Sequence, residues 1–477
     1  VSAPATPSVK RPACGRRPVA FLGALLLVAG GLRALYLWDN LTHSPFSQLL
    51  VLDSAHYDLW AVDIAQGDWL GEEVFIQAPL YPYLLGTLYA LVGRRLWLVY
   101  GLQHLLGLVN VWLVWRLGRR WFDDRVALVG AALFALYPFA VFLEGKVLVT
   151  TLYVTWSLLA LDLAGQVAEH GRWRWAALLG LVLGLASVTR ANGLVLTVLV
   201  AGWLVWALRR RGMAAGLGRA VLVVGVAAGV VVPVTVRNWV VAECFVPIST
   251  GGGVAFARSN VLGGRGGFEP APELPDSVIR SIEDVSALAE AELGRKPTAP
   301  EVSAFWVRRT LATVREKPGA WLRLEGWKAL RVLDNYEHGT ENALSEERWL
   351  TPTLWAFFVP AGVILAFGFV GLAAGVGQVG ERALLSLYVV AILLGMLAFA
   401  VVGRYRLPMM PVLALFAGQA LTWLWASLRR RQWRTGLAWA TPTAALLVVS
   451  LFQPDGLYER QTVRVWLNLA VTQQLAD

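Results

Sequence analysis

Apolar positions in this chain come in long unbroken runs. Neither the period-two alternation of a half-buried strand nor the one-sided stripe of a water-facing helix dominates. Uncharged or nearly uncharged stretches occupy residues near 18–38, 96–115, 126–143, 147–165, 175–189, 191–208, 220–236, 353–375, 383–402, 407–428 and 435–452. A helix needs about 20 such residues to cross a bilayer, so these runs predict about eleven transmembrane helices, the pair around Thr189 being the shortest. The first run follows Lys10, Arg11, Arg16 and Arg17, but its length and the lack of a small-residue cleavage site favour a retained anchor over a signal peptide. Two long polar-containing loops, 39–95 and 237–350, interrupt the pattern, and a tail begins at about residue 453.

Composition agrees with the pattern. Of 477 residues, 57% are hydrophobic and 16% charged, against about 25% charged in soluble domains. A soluble enzyme, a disordered chain and a disulfide scaffold are excluded; Cys14 and Cys244 are the two cysteines. The expected fold is an all-α polytopic membrane protein.

The net charge of +10 sharpens the topology. With the N-terminus cytoplasmic, one set of alternate loops holds Arg116, Arg119, Arg120 and Arg125, then Arg172 and Arg174, then Arg209, Arg210, Arg211 and Arg219, then Arg382, and finally Arg429, Arg430, Arg431 and Arg434. The opposite short connections hold only Lys146, Arg190, Arg404 and Arg406. This is the positive-inside distribution. It accounts for the basic charge, so no nucleic-acid partner is called for. The predicted domains are a basic cytoplasmic tail (1–17), a membrane domain (18–452) with outer loops 39–95 and 237–350, and an outer-side amphipathic helix (453–477) that could open a helical repeat. Loop 237–350 runs from a glycine-rich part through Pro-rich 270–275 to a helical stretch near 276–293. Cys14 then lies inside and Cys244 outside.

Candidate chemistry gathers in the outer loops. From Asp39 to Glu73 the chain holds Asp39, Asp53, Asp58, Asp63, Asp68, Glu72 and Glu73 with no Lys or Arg. A solvated face explains Asp58, Asp63 and Asp68. Asp53 differs because Leu49, Leu50, Val51 and Leu52 precede it, and apolar surroundings raise a carboxyl pKa in a way that suits a general base. On a helix, Tyr57 shares its face at i, i+4, while Leu59, Val62 and Ile64 would rest on lipid. The next segment, near 74–93, is apolar but short, and reads as lying along or re-entering the membrane. His56 has no paired ligand motif, so packing is its plain reading. Arg404 and Arg406 flank Tyr405 at an outer span end. Snorkelling would explain them, but outward positive charge runs against the topology trend and guanidinium suits phosphate. Arg237-Asn238 and Arg190 have the same character.

These residues occur in an order that resembles the polyprenyl-phosphate-sugar-dependent glycosyltransferases of the GT-C class. Within them the chain is similar to the bacterial branch of protein O-mannosyltransferases (family 39) and lipid A aminoarabinose transferases. The motifs begin with Asp53-Ser54-Ala55-His56-Tyr57, Gly67-Asp68-Trp69 and Ala78-Pro79-Leu80-Tyr81-Pro82. Gly118-Arg119-Arg120 and Thr189-Arg190-Ala191-Asn192-Gly193 follow. The last are Arg237-Asn238, Ser249-Thr250-Gly251-Gly252, Asn260 and Arg404-Tyr405-Arg406-Leu407-Pro408. The resemblance implies Asp53 as catalytic base and Asp58, Tyr57 and His56 as supporting groups or acceptor contacts. It implies a lipid-phosphate site among Arg404, Arg406, Arg237, Arg190 and Tyr405. Gln77, Tyr81, Asn238, Asn260 and Glu337 are candidate cavity residues. The implied partners are a polyprenyl-phosphate-linked sugar, a hydroxyl acceptor and membrane lipid, at the outer face of a bacterial inner membrane. Ser54 stands where the family usually has a second acid. Gln77-Ala78 stands where the aminoarabinose transferases have a Glu-Lys pair whose Glu helps hold a metal, so no cofactor is assigned and a divalent metal has no residues in its support. Two other readings of the same features are a transporter of lipid-linked glycans and a non-catalytic envelope assembly protein.

Overall fold

The computed structural model describes residues 16–269, 271, 273–274, 281–339, 343–375 and 382–451. Helices and short 3-10 turns make up its regular structure, with no strand among the described residues. In chain order the first half holds α1 (Arg16–His43), α2 (Leu52–Ala65), α3 (Leu80–Val92), α4 (Leu96–Trp121), α5 (Asp124–Ala135), α6 (Pro138–Glu144), α7 (Thr150–His170), α8 (Trp173–Thr189), α9 (Gly193–Leu208) and α10 (Met213–Ala242). The central loop contributes α11 (Gly252–Ser259), α12 (Glu283–Leu293), α13 (Ala299–Glu316), α14 (Pro318–Leu333) and α15 (Leu344–Leu350). The remainder is α16 (Ala361–Gly375), α17 (Ala383–Ala398), α18 (Gly403–Arg406), α19 (Met410–Arg429) and α20 (Trp433–Leu451).

Each of the eleven apolar runs falls on a helix or a pair of helices, but eleven spans are not reached by length and composition. Among the described residues, six helices are long and apolar enough to cross a membrane, or seven if the bent pair α5–α6 is one span. That pair turns by 56° ahead of Pro138, which lacks an N–H and disfavours helical geometry in Tyr137. The shortfall of four has physical causes: α8 and α17 are short apolar helices, α7 carries Asp162 in its interior, and α20 (Trp433–Leu451) dilutes its apolar run with Arg434, three threonines and Pro442. Residues 453–477 and 1–15 lie outside the described residues, as do 276–280 of the stretch expected to be helical near 276–293.

Lipid-facing surfaces are recognisable by exposed apolar side chains, such as Phe21, Leu27 and Leu35 on α1 and Val221, Val232 and Val240 on α10. Inside, close approach rests on small residues. A Cβ on Gly180 would lie 2.6 Å from the Val223 carbonyl oxygen, and one on Gly184 2.6 Å from Val230 Cβ, so α8 and α10 meet backbone to backbone.

Buried charges in the bundle are closed by partners from other helices. The Arg33 guanidinium donates to both carboxylate oxygens of Glu144 at 2.8 and 3.0 Å, and His104 Nδ1 lies 2.8 Å from the same carboxylate. Asp162 accepts from Arg116 at 2.8 Å and from Arg120 at 3.0 Å. Around Asp162, arginines of several loops meet at one end of the bundle: Arg120 also reaches Glu169, Arg211 the Glu169 carbonyl, Arg219 the Gly171 carbonyl and Arg382 the Trp121 carbonyl.

The two long loops meet at one end. Thr250 and Gly251 donate their amides to the Phe75 and Ile76 carbonyls at 2.9 and 3.1 Å. The central loop has its own core of Val254, Ala257, Leu274, Val285, Ala289, Val302, Phe305 and Trp306. Its α13 starts with a capping box between Thr298 and Glu301.

Candidate active site

Between the central loop and the helix ends lies a cavity of about 1010 Å³. One wall carries Asp53, Tyr57, Gln77, Arg190, Arg404 and Tyr405. Asp53 stands in the first turn of α2, where Leu52 takes a left-handed φ of 50°. That conformation costs about 1–2 kcal/mol for a residue with a Cβ, and such strain concentrates at functional positions.

Arg404 of α18 donates to one oxygen of the Asp53 carboxylate, and the Gln77 amide donates to the other at 3.1 Å. The sequence expectation of a raised Asp53 pKa is corrected here. Burial does push the carboxyl up, but Arg404, Gln77 and His56 outweigh it and hold it below the usual carboxylate range. Tyr57 is pushed up, by burial first and by Asp53 next, and stays protonated. The buried Gln77 Oε1 has no hydrogen-bond partner, leaving an acceptor atom beside Asp53.

Arg190 donates to the Thr150 hydroxyl at 3.0 Å, and its guanidinium lies 5.2 Å from the centre of the Tyr405 ring. Arg404 lies 5.5 Å from the same ring, so Tyr405 stands between two cations. Among the described residues no carboxylate pairs with Arg190. Asp53, Arg404 and Arg190 thus leave one positive charge in excess on this wall.

Other sequence candidates are placed elsewhere. Arg406 is buried, ion-pairs with Glu337 at 2.8 Å and donates to the Val332, Asp334 and Tyr336 carbonyls, so its guanidinium is taken up in holding the central loop. Glu337 also accepts from Tyr137, and neither lines the cavity. Asp58 accepts from Tyr89 at 2.7 Å and Arg94 at 3.0 Å, away from the cavity and not on a solvated face. Arg237 clasps the first loop through the Glu73 and Leu70 carbonyls and sits 3.9 Å over the Phe75 ring. Asn238 donates to the Val246 and Ile248 carbonyls, each at 3.1 Å. Asn260 accepts from Lys328 at 3.0 Å, and Tyr81 donates to Gln103 at 3.0 Å. His56 packs 5.7 Å from the Trp60 ring. Ile64, expected on lipid, is 1% exposed and packs against α3 at Gly86.

Residues overlooked in the sequence also line the cavity: Arg258, Arg265, Glu269 and Arg331 of the central loop, which packs its Phe268 ring 5.9 Å from the Tyr405 ring. Apolar residues Val195, Leu196, Ala391, Ile392 and Leu394 complete the cavity. Val195 and Leu394 are 59% and 61% exposed, which puts the mouth between α9 and α17. A metal does not fit beside Asp53: one carboxylate already paired with a guanidinium is a poor ligand set, and no group of three His, Cys, Asp or Glu side chains is clustered for a metal among the described residues.

Residues 76–236 match the family Dolichyl-phosphate-mannose-protein mannosyltransferase. The whole chain is similar in structure to the oligosaccharyltransferase AglB from Archaeoglobus fulgidus, solved with an inhibitory peptide and a dolichol-phosphate. The TM-score is 0.52 at 14% identity, covering 92% of this chain and 57% of that one. A second structure of the Archaeoglobus fulgidus oligosaccharyltransferase, tethered to an acceptor peptide, gives a TM-score of 0.53 at 14% identity over 93% and 56% of the two chains. The fold is the GT-C fold. This chain spans little more than half the length of those oligosaccharyltransferases. ArnT from Cupriavidus metallidurans, bound to undecaprenyl phosphate, aligns over 86% of this chain and 80% of its own at 15% identity, with a TM-score of 0.39, too low for a common fold to be argued. No curated protein matches the chain in sequence.

Proposed function

We propose that the protein is an inverting glycosyltransferase that moves a sugar from a polyprenyl-phosphate donor to a hydroxyl acceptor at the outer face of a bacterial inner membrane. The observation that carries this reading is the single wall on which Asp53, Arg404 and Arg190 meet, in a cavity whose mouth lies between apolar helix faces. A lipid tail would lie along α9 and α17 with its phosphate at Arg404 and Arg190. Asp53 takes the proton of the acceptor hydroxyl, whose oxygen attacks the anomeric carbon as the bond to the phosphate oxygen breaks. Polyprenyl phosphate leaves with one more negative charge, which the two guanidiniums stabilise.

The Asp53–Arg404 pair adds a further step. While Arg404 bonds Asp53, the carboxylate is a weak base. A donor phosphate arriving at Arg404 shares that guanidinium and lets the Asp53 pKa rise, which makes it a better base when the donor is present. The match of residues 76–236 to a mannosyltransferase family and the dolichol-phosphate held by a protein of the same fold support a lipid-phosphate donor. A glycan transporter would line its pathway with ionisable groups near the midplane. Here Arg33 and Asp162 pair with Glu144, Arg116 and Arg120, and neither lines the cavity.

Mass spectrometry of glycoconjugates from cells with and without the gene would identify sugar and acceptor. Purified Asp53→Asn is then expected to lose transfer by about 10²–10⁴-fold, the usual worth of a general base, with its melting temperature kept. Full activity in that variant would remove Asp53 from the chemistry.

A further inference from the structure

The guanidinium that bonds Asp53 rides on a very short helix. α18 (Gly403–Arg406) is a single turn, too short to be stable alone. A non-helical stretch, 399–402, precedes it and a 3-10 turn at Leu407–Met409 follows. Arg404 and Arg406 stand about 200° apart around that turn, so one faces Asp53 while the other faces away. The Asp53 and Arg404 side chains are 22% and 12% exposed, and a partly exposed pair contributes little to fixing a backbone. The stronger hold is on the other side.

Arg406 and Glu337 are 2% and 5% exposed and pair at 2.8 Å, while the same guanidinium donates to the Val332, Asp334 and Tyr336 carbonyls. Parting this pair would strand two buried charges, so it holds α18 in one position. Glu337 is held in turn, because its other oxygen accepts from Tyr137 at the bend between α5 and α6. A Cβ on Gly403 would lie 2.9 Å from Glu337 Oε2 and 2.5 Å from the Phe139 ring. The carboxylate and the ring therefore close directly on the first residue of α18. The stretch ahead of the helix is tied to the central loop as well. The Val401 amide donates to the Gly266 carbonyl at 2.8 Å and the Gly403 amide to the His338 carbonyl at 2.9 Å.

We propose that Glu337 is a positioning residue for transfer: by holding Arg406 against the bend at Tyr137, it fixes the turn of α18 on which Arg404 meets Asp53. Glu337 does not line the cavity and acts through Arg406. This rests on the reading of Asp53 as the base. The groups that face Asp53 are Arg404, Gln77, His56 and Tyr57. Of these four, Arg404 is the one carried by α18. Loosening α18 therefore weakens one favourable charge beside the carboxylate, keeps the other groups, and raises the Asp53 pKa.

The test treats the purified full chain, without donor, with dicyclohexylcarbodiimide, which reacts with a protonated carboxyl. Mass spectrometry follows the Asp53 peptide against pH. Arg404→Gln sets the scale, with a labelling midpoint expected about 1–3 pH units above wild type. Glu337→Gln keeps the volume and removes the charge opposite Arg406. Its midpoint is expected about 0.5–1 unit above wild type, with the acid limb of kcat/KM for transfer moved by the same amount. Gly180→Ala, which crowds α8 against α10, is expected to lower the melting temperature and leave the midpoint in place. A lower melting temperature in Glu337→Gln with an unmoved midpoint would overturn the role, since Glu337 would then serve stability alone. An equal shift in Gly180→Ala, or no shift in Arg404→Gln, would overturn it too. If Glu337→Gln does not fold, Tyr137→Phe decides. It takes one hydroxyl from Glu337 and should move the midpoint the same way by about 0.3 unit, and no movement would overturn the role. A midpoint that shifts while the acid limb of transfer stays would sink Asp53 as the base and leave the placement of Arg404 by Glu337 standing.

Discussion

Arg404 sets what Asp53 can do, and Gln77 adjusts it. The Gln77 amide favours the ionised carboxylate. Gln77→Leu keeps the volume and removes that bond, so the Asp53 pKa should rise. Since the base works only when ionised, activity falls as pH drops through that pKa, and the acid limb of the kcat/KM profile should move to higher pH. An unmoved limb would mean that Asp53 is not the group titrating. At this scale the sequence pointed to Asp53, Arg190 and Arg404 by charge set against the local trend, to Tyr57 by its helical spacing from Asp53, and to Gln77 and Tyr405 through the family resemblance. It did not separate Arg404 from Arg406, two residues apart on the same short helix. Their partners lie far away along the chain, Asp53 for one and Glu337 for the other, and no local pattern carries such a pairing.

Packing between α2 and α3 places Asp53, the proposed base. A Cβ on Gly86 would lie 2.6 Å from Ile64 Cγ2 and 3.0 Å from the Ala61 carbonyl oxygen. Gly86→Ala should therefore cost about 1–3 kcal/mol by overpacking, seen as a lower melting temperature, and should reduce activity as α2 shifts with Asp53. Loss of stability with unchanged activity would show that α2 is positioned from elsewhere. Asn238→Ala tests the clasp between the loops: the Val246 and Ile248 carbonyls lose their donor, at about 1–3 kcal/mol for each buried group left unsatisfied. A melting temperature equal to wild type would show that water replaces the amide. Helix positions were legible because apolar runs of membrane length leave few alternatives. The part of the cavity lined by Arg258, Arg265 and Arg331 was not, because the polar residues of the central loop look like surface until α14 folds against the glycine turn.

For the whole molecule, loop arginines gather around Asp162 at one end of the bundle, and the proposed sidedness makes that end cytoplasmic. Cys244 should react with a membrane-impermeant maleimide in intact cells and Cys14 only after permeabilisation. Mildly alkaline pH is needed, because burial pushes the Cys244 thiol up. The reverse pattern would invert the topology and put the cavity in the cytoplasm.

The mouth between α9 and α17, framed by Val195 and Leu394, would govern how the proposed transferase meets a lipid-linked donor. A substrate that enters sideways is met by diffusion in two dimensions, so what matters is its mole fraction in the leaflet and not its amount per volume. In proteoliposomes with protein and donor held constant, added inert phospholipid should slow transfer in proportion to the dilution of donor in the plane. Added buffer should leave the rate per enzyme unchanged at saturating acceptor. Turnover in the cell would then be set by the crowding of carrier lipids around the protein.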